Sequence, residues 1–329
     1  MTATLVALDD MADTREQLGT PGQEIWRTFF LKPEPGSRAP QAFLVEYAPG
    51  RVLATHYHDV DEFQIVVAGH GTFGRHTVQP YAVHFARAYT PYGPITAGPQ
   101  GLSFLTLRAQ RDSSGPQKLP EKRAALEQVA GRRPFQAAQV ATLGAVGDCV
   151  AITPLERFGD GAGLGAWVVD VPAGVSVRLP RAPGASGAYA ALLKGSMRVD
   201  ARLLLAPAVA FVEAHDEPMR VTAGDAAAQW LVLSFPQPLD ASVATSKRTV
   251  QTGGTPHAGV DAPARAPACW DCKLCGFRYD EAAGLPELGI APGTPLRELP
   301  GDWRCHDCDA PRSEFERADR FSAAAATSG

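Results

Sequence analysis

The chain lacks the long apolar run that a membrane-crossing helix needs, since no stretch approaches ~20 apolar residues. Its first residues, Met1 to Asp13, carry acids early and show no basic segment followed by an apolar one. No secretory signal is therefore expected, and the chain is read as cytoplasmic. There is no excess of positive charge: 31 Lys/Arg stand against 35 Asp/Glu, a net of −4, which speaks against nucleic acid as a partner. No Walker A loop, no dinucleotide-binding glycine fingerprint after a strand and no G-x-S-x-G elbow occurs. Gly161-Ala162-Gly163-Leu164-Gly165 is glycine-rich, but its spacing is wrong and no helical pattern follows. Cysteine is scarce and uneven: of six, five lie between Cys269 and Cys308, and the other is Cys149. A secreted disulfide protein would spread its cysteines through the fold, whereas clustered C-x2-C pairs read as a metal site.

What is present is enough apolar mass for more than one core: 329 residues, 45% hydrophobic and 20% charged. Short apolar runs separated by Gly/Pro turns, such as Ala42–Tyr47, Phe63–Val67, Ala82–Ala86 and Leu102–Leu107, predict an all-β barrel or sandwich. Leu119–Val129 carries Ala124, Leu126 and Val129 at helical spacing and predicts a connecting helix. A second strand-rich segment repeats the first. Tyr47-Ala48-Pro49-Gly50 resembles Val171-Pro172-Ala173-Gly174, and Ile95-Thr96-Ala97-Gly98 resembles Val221-Thr222-Ala223-Gly224, at nearly one offset. A duplicated β-domain follows. The expected organisation is a first β-domain over 20–112, a connecting helix within 113–135, a second β-domain over 136–236, a flexible Ala/Thr/Pro/Gly/Ser linker over 237–267, and a small metal domain over 268–320. That last segment holds eleven Asp/Glu and seven Lys/Arg, which accounts for the whole net charge.

In the metal domain, Cys272-x2-Cys275 and Cys305-x2-Cys308 are separated by 29 residues. Four thiolates on two short knuckles make a tetrahedral cage that suits iron or zinc. The residues between decide. Gly276-Phe277-Arg278-Tyr279-Asp280, then Gly289-Ile290-Ala291-Pro292-Gly293-Thr294, then Leu299-Pro300-Gly301-Asp302-Trp303-Arg304 resemble rubredoxin, with Trp270, Tyr279, Trp303 and Phe315 where that family keeps its core. His306 and Asp309 depart from the family pattern without touching a ligand position, and Cys269 is read as a bystander. The resemblance implies an Fe(Cys)4 centre held by Cys272, Cys275, Cys305 and Cys308. It also implies a one-electron Fe(II)/Fe(III) role and a rubredoxin reductase-type electron donor.

The first β-domain carries Gly50-x5-His56-x-His58-x3-Glu62-x6-Gly69. His-x-His on a strand puts both imidazoles on one face, because side chains alternate. A carboxylate from the next strand completes a facial set with open positions, which suits non-haem Fe(II) and O2. The pattern resembles the first motif of the cupin family at every position. The second cupin motif usually ends in histidine, yet Pro91-Tyr92-Gly93-Pro94-Ile95-Thr96 ends in Thr96. Three outcomes stay open: an iron held by His56, His58 and Glu62 alone, a fourth ligand from His84 or His76, or weak or absent metal binding. The first is the expectation, with His84 in reserve. In the second copy, Pro180, Ala182 and Ala188 stand where His56, His58 and Glu62 would be. His215 is alone, and His70 reads as a turn residue.

The expected fold is thus mostly β: two cupin domains of the jelly-roll type, arranged as in gentisate dioxygenase-like bicupins, plus a rubredoxin-like domain on a flexible linker. The resemblances imply an iron-dependent cupin oxygenase, dioxygenase-like, acting with O2 on an aromatic or other small organic substrate. The tethered rubredoxin would maintain or drive the cupin iron. They also imply a homodimer through the cupin sheets. The alternative is an electron-transfer or redox-sensing protein with a non-catalytic cupin platform.

Overall fold

The structure is a computed structural model that describes residues 6–20, 24–74, 76–129, 131–159, 161–199, 202–239, 268–272, 277–305 and 312–318. Cys275, Cys308 and the linker beyond residue 239 lie outside the described residues.

The first barrel is built on an antiparallel sheet whose strands run in the order Gln136–Val140, Ala82–Ala86, Glu62–Phe73, Ile95–Arg108, Gln41–Tyr47, Ile25–Leu31 and Glu16–Leu18. Glu62–Phe73 and Ile95–Arg108 are long enough to bend from one wall to the other. Their far ends pair with His76–Val78 and Val52–Leu53. The bend is a register shift between Ala97 and Leu102, and glycine is what permits it. Gly69 has φ +75°, and a Cβ there would sit 2.2 Å from the Gly101 carbonyl oxygen. On the opposite wall the short strand His56–Tyr57 pairs with Gln117–Lys118 and bridges to Tyr92.

The second barrel runs Val6–Ala7, Ala208–Glu213, Gly187–Lys194, Ala228–Phe235, Gly165–Val171 and Ala151–Pro154. It repeats the first in register. Phe63 pairs with Leu107, and Tyr189 pairs with Leu233, each 126 residues later. The turn bonds recur too. Gly50 N–H to Gly98 O (3.3 Å) and Ala97 N–H to Arg51 O (2.9 Å) match Gly174 N–H to Gly224 O (2.9 Å) and Ala223 N–H to Val175 O (3.0 Å). The duplication read from two short sequence matches is therefore a duplication of hydrogen bonds.

Alternation along the strands divides the core. Phe63, Ile65, Leu105, Leu107, Ala42 and Leu44 face the second barrel and pack with Tyr189, Leu231, Leu233 and Phe235 in one buried cluster. Each such large side chain contributes ~1.5–3 kcal/mol on burial. The Tyr189 hydroxyl adds a polar clamp, reaching the carbonyls of Gln41 and Arg108 at 3.0 Å each. The intervening residues Glu62, Gln64, Thr106 and Arg108 face the inside of the first barrel. The barrels also exchange strands: Val6–Ala7, from the chain start, adds to the second sheet, and Gln136–Val140, where the second half was expected to open, adds to the first.

The connecting helix is shorter than its spacing predicts, at Arg123–Glu127. Lys118 is held as strand beside His56, and the Leu119 N–H is spent on Thr55 O at 2.9 Å, so the chain enters the helix late. Among its described residues the C-terminal domain has three strands, Arg278–Asp280, Cys269–Cys272 and Phe315–Arg317, in that order. Its core is small: Cys272, Cys305, Tyr279, Leu296, Leu299 and Phe315, backed by Trp270 and Trp303. Glu281 knits it together, accepting from the backbone N–H of Ala268 (2.8 Å) and Leu296 (2.9 Å) and from the Trp270 indole (2.7 Å).

Candidate active site in the first barrel

His56 and His58 come from one short strand and its exit, with Tyr57 between them turned into a separate cluster with Leu119 and Leu126. The two imidazoles lie edge to face, 5.1 Å apart, as the His-x-His spacing predicts. His56 is anchored through Nδ1 to the Ala54 carbonyl at 2.8 Å. A carbonyl only accepts, so Nδ1 carries the hydrogen and Nε2 is the bare atom. Burial, with His58 beside it, lowers the His56 pKa to about 3, which keeps the ring neutral. His58 is anchored the same way, with Nδ1 2.7 Å from an Asp112 carboxylate oxygen. Imidazoles fixed through one nitrogen to a carbonyl or carboxylate are oriented to use the other as a ligand or base.

Glu62 is buried on the neighbouring strand, and both its oxygens are engaged. Tyr92 donates its phenol to Oε1 at 2.5 Å, and Arg108 donates Nε to Oε2 at 2.6 Å with Nη2 also on that oxygen. Burial alone would raise the Glu62 pKa. The charges of Arg108 and His58 and the bonds from Tyr92 and Arg108 more than offset it, holding Glu62 below the ordinary carboxylate range. Arg108 also reaches Asp112 at 3.2 Å and lies 3.4 Å from each ring nitrogen of His58. One guanidinium thus joins both carboxylates and the His58 ring in a single buried network.

This network decides how the expected donors stand toward a metal. Among the described residues no three His, Cys, Asp or Glu side chains converge closely enough to hold an ion. His58 Nε2 is 4.0 Å from Glu62 Oε2, and that oxygen is occupied by Arg108. Glu62 could join the imidazoles at a metal only by giving up an Arg108 contact. His84 is not brought to the cluster: its ring nitrogens sit 2.9 Å from Gln64 Oε1 and 3.0 Å from Gln136 Oε1, and burial lowers its pKa to about 4. Thr96 does not line the cavity, whereas Tyr92 and Ile95 of the same segment do. The Tyr92 ring instead packs against both imidazoles, 4.5 Å from His56 and 6.3 Å from His58 between ring centroids.

The cluster opens into a cavity of about 630 Å3 walled by Phe29, Phe43, Tyr47, Phe104 and Ile95, with Arg27 and Arg111 also lining it. That volume suits a small organic molecule. Among the described residues, the equivalent place in the second barrel holds nothing comparable. Ala188 takes the place of Glu62, Ser234 that of Arg108, and the space beside Pro180 and Ala188 is only about 10 Å3.

The sequence reading did not find Arg108, Asp112 or the part Tyr92 plays. A signal existed for Arg108. In Phe104-Leu105-Thr106-Leu107-Arg108 the leucines share one face, so Arg108 falls on the inward face with Phe104 and Thr106 and requires an acid there.

In the C-terminal domain Cys272 and Cys305 are both fully buried, from opposite ends of the segment, in the same small cluster. Cys269 lies on the same strand as Cys272, only partly buried and outside that cluster. Among the described residues no helix is long and apolar enough to cross a membrane.

Comparison with solved structures finds a candidate dioxygenase from Nostoc punctiforme at 11% identity and TM-score 0.49, covering 75% of this chain and 88% of that one. At that identity and score the likeness says nothing about chemistry. The double-barrel, cupin-like architecture rests on the strand order itself. The C-terminal domain is another matter. The rubredoxin family model matches residues 269–315. Rubredoxin-1 of Alcanivorax borkumensis is 50% identical over 50 residues, 15% of this chain and 93% of that protein. Rubredoxin-2 of Pseudomonas aeruginosa is 53% identical over 47 residues, 14% of this chain and 86% of that protein. Through its C-terminal domain, carried behind two cupin-like barrels, the chain belongs to the rubredoxin family.

Proposed function

We infer that the chain is an oxidoreductase in which the rubredoxin iron delivers single electrons to a reaction in the cavity of the first barrel. Cys272, Cys275, Cys305 and Cys308 hold that iron, and a rubredoxin reductase-type flavoprotein supplies the electrons. The observation that carries the reading is the pair of anchored imidazoles. His56 and His58 line an aromatic-walled cavity, each anchored through Nδ1, with Nε2 of His56 bare and Nε2 of His58 contacted by Arg108 at 3.4 Å, on a chain that brings its own electron carrier. The substrate is a small organic molecule with an aromatic body, held by the ring walls, and an acidic group matched to Arg111, since Arg27 is already paired with Glu16 at 2.6 Å.

The form of this reaction that His56 and His58 favour is an iron-dependent oxygenation. Iron bound there would be held by the two Nε2 atoms, with Glu62 joining when released from Arg108, and would supply O2 activation. The chain's own residues do the rest. Ala54 and Asp112 fix the imidazole orientations, and the ring walls exclude water. Tyr92 holds its proton at Glu62 Oε1, and Arg108 keeps the buried carboxylates ionised.

Metal analysis beside oxygen uptake tests this. Wild type should hold two iron ions per chain and consume O2 when reduced, and His56→Ala should retain one iron and lose the uptake. One iron in wild type, with uptake unchanged in His56→Ala, would sink the oxygenase.

The second reading is a redox carrier or sensor with a non-catalytic barrel. The saturation of Glu62 by Arg108 and Tyr92 favours it. It expects one iron per chain and reversible one-electron chemistry alone.

A further inference from the structure

The basic connecting segment between the barrels touches the rubredoxin domain. Arg123 Nη1 donates to the backbone carbonyl of Cys305 at 3.4 Å, across 182 residues of chain. This segment is tied to the site described above. Lys118 pairs with His56 in a two-stranded ladder, and Tyr57, between the two site histidines, donates its hydroxyl to the Lys122 carbonyl at 3.4 Å. Tyr57, Leu119 and Leu126 bury one another beneath the helix Arg123–Glu127.

Charge adds an independent argument. Residues 117–133 contain five Lys/Arg and two Asp/Glu, while residues 268–320 contain eleven Asp/Glu and seven Lys/Arg. An acidic domain thus meets a basic platform, and such complementarity steers and orients weak electron-transfer encounters.

The geometry points to the segment 117–133 as a docking face for the chain's own rubredoxin domain, oriented by Arg123 so that the Cys305 edge faces the first barrel. This rests on the reading that rubredoxin electrons are used in that barrel. Docking leaves two non-covalent steps between a rubredoxin cysteine and the site histidines: Cys305 carbonyl to Arg123, and Lys122 carbonyl to Tyr57. In the step served, the Fe(II) tetrathiolate is oxidised to Fe(III) and its one electron reduces dioxygen admitted to the cavity. An external flavoprotein reductase then returns one electron to the iron. Arg123 is a positioning residue and touches no reacting atom.

The test is 15N relaxation on the full chain, with zinc in the four-cysteine site to silence the paramagnetism. At low salt the rubredoxin amides should tumble with the barrels. Arg123→Glu should shorten their correlation time several-fold, and Arg123→Lys should largely preserve it. Salt titration of the wild type should reproduce the release without any substitution, which guards against a variant that fails to fold. Independent tumbling of the wild-type domain at low salt, or no change in Arg123→Glu and with salt, overturns the docking face. Oxygen uptake by the iron-loaded forms of the same variants keeps the two ideas apart: uptake without docking sinks the docking face alone, and docking without uptake sinks the oxygenase alone.

Discussion

Arg108 is the residue on which the first barrel's electrostatics turn. It is buried with two carboxylates, Glu62 and Asp112, and burial of either acid without a cation is costly. Arg108→Leu should therefore lower unfolding stability by about 3–5 kcal/mol, read by urea denaturation. Glu62→Gln should cost less, because Tyr92, Arg108 and Asp112 keep most of their partners. His84 makes a separate prediction. Its pKa is about 4 in the fold and ~6.5 in an unfolded chain, so unfolding takes up a proton between those values. Its contribution is constant above pH 6.5, and stability falls as pH drops from 6.5 toward 4. His84→Asn should show a shallower fall over that window in thermal melts. At this scale the sequence spoke clearly for His56, His58 and Glu62, which sit within seven residues of one another. Arg108 stands 46 residues from Glu62, and the two meet only when their strands pair. Short-range spacing cannot show such a partner.

The elements were legible where the pattern was local. The Tyr47–Gly50 and Ile95–Gly98 segments, with their counterparts at Val171–Gly174 and Val221–Gly224, expose the duplication because both copies make the same turn bonds there. Gly69→Ala should cost more than about 2 kcal/mol, since the new methyl would collide with the Gly101 carbonyl in a left-handed backbone. Gly50→Ala, also at positive φ but with open space around it, should cost less in the same denaturation assay. The strand exchange was not legible. Val6–Ala7 and Gln136–Val140 carry no signal of which sheet they join, since edge pairing is decided by where the barrels come to rest. The helix was overread for a related reason: apolar spacing over Leu119–Val129 is real, but Leu119 serves the cluster with Tyr57 instead of a helical face.

As a whole, the molecule joins a large double barrel with a shared apolar interface to a small domain whose buried core, among the described residues, is six side chains, two of them cysteines. Cores of that size depend on their metal. Stripping the iron with a chelator under reducing conditions should unfold residues 269–315 and leave the barrels' β-sheet circular dichroism in place. A single loss of all structure would contradict that independence. The C-terminal domain was the most legible part of the chain, because its glycines, aromatics and cysteines lie in one continuous segment. The link between the rubredoxin and the first barrel was the least legible, since it depends on long-range contact between unlike domains. It is also the central claim, and stopped-flow reoxidation tests it most directly. The full chain is reduced anaerobically and mixed with O2, and the ferric thiolate absorption is followed. Reoxidation should be slower in His56→Ala than in wild type by about tenfold or more, a barrier difference of about 1.4 kcal/mol or more. Equal rates in the two proteins would contradict delivery of rubredoxin electrons to the first barrel.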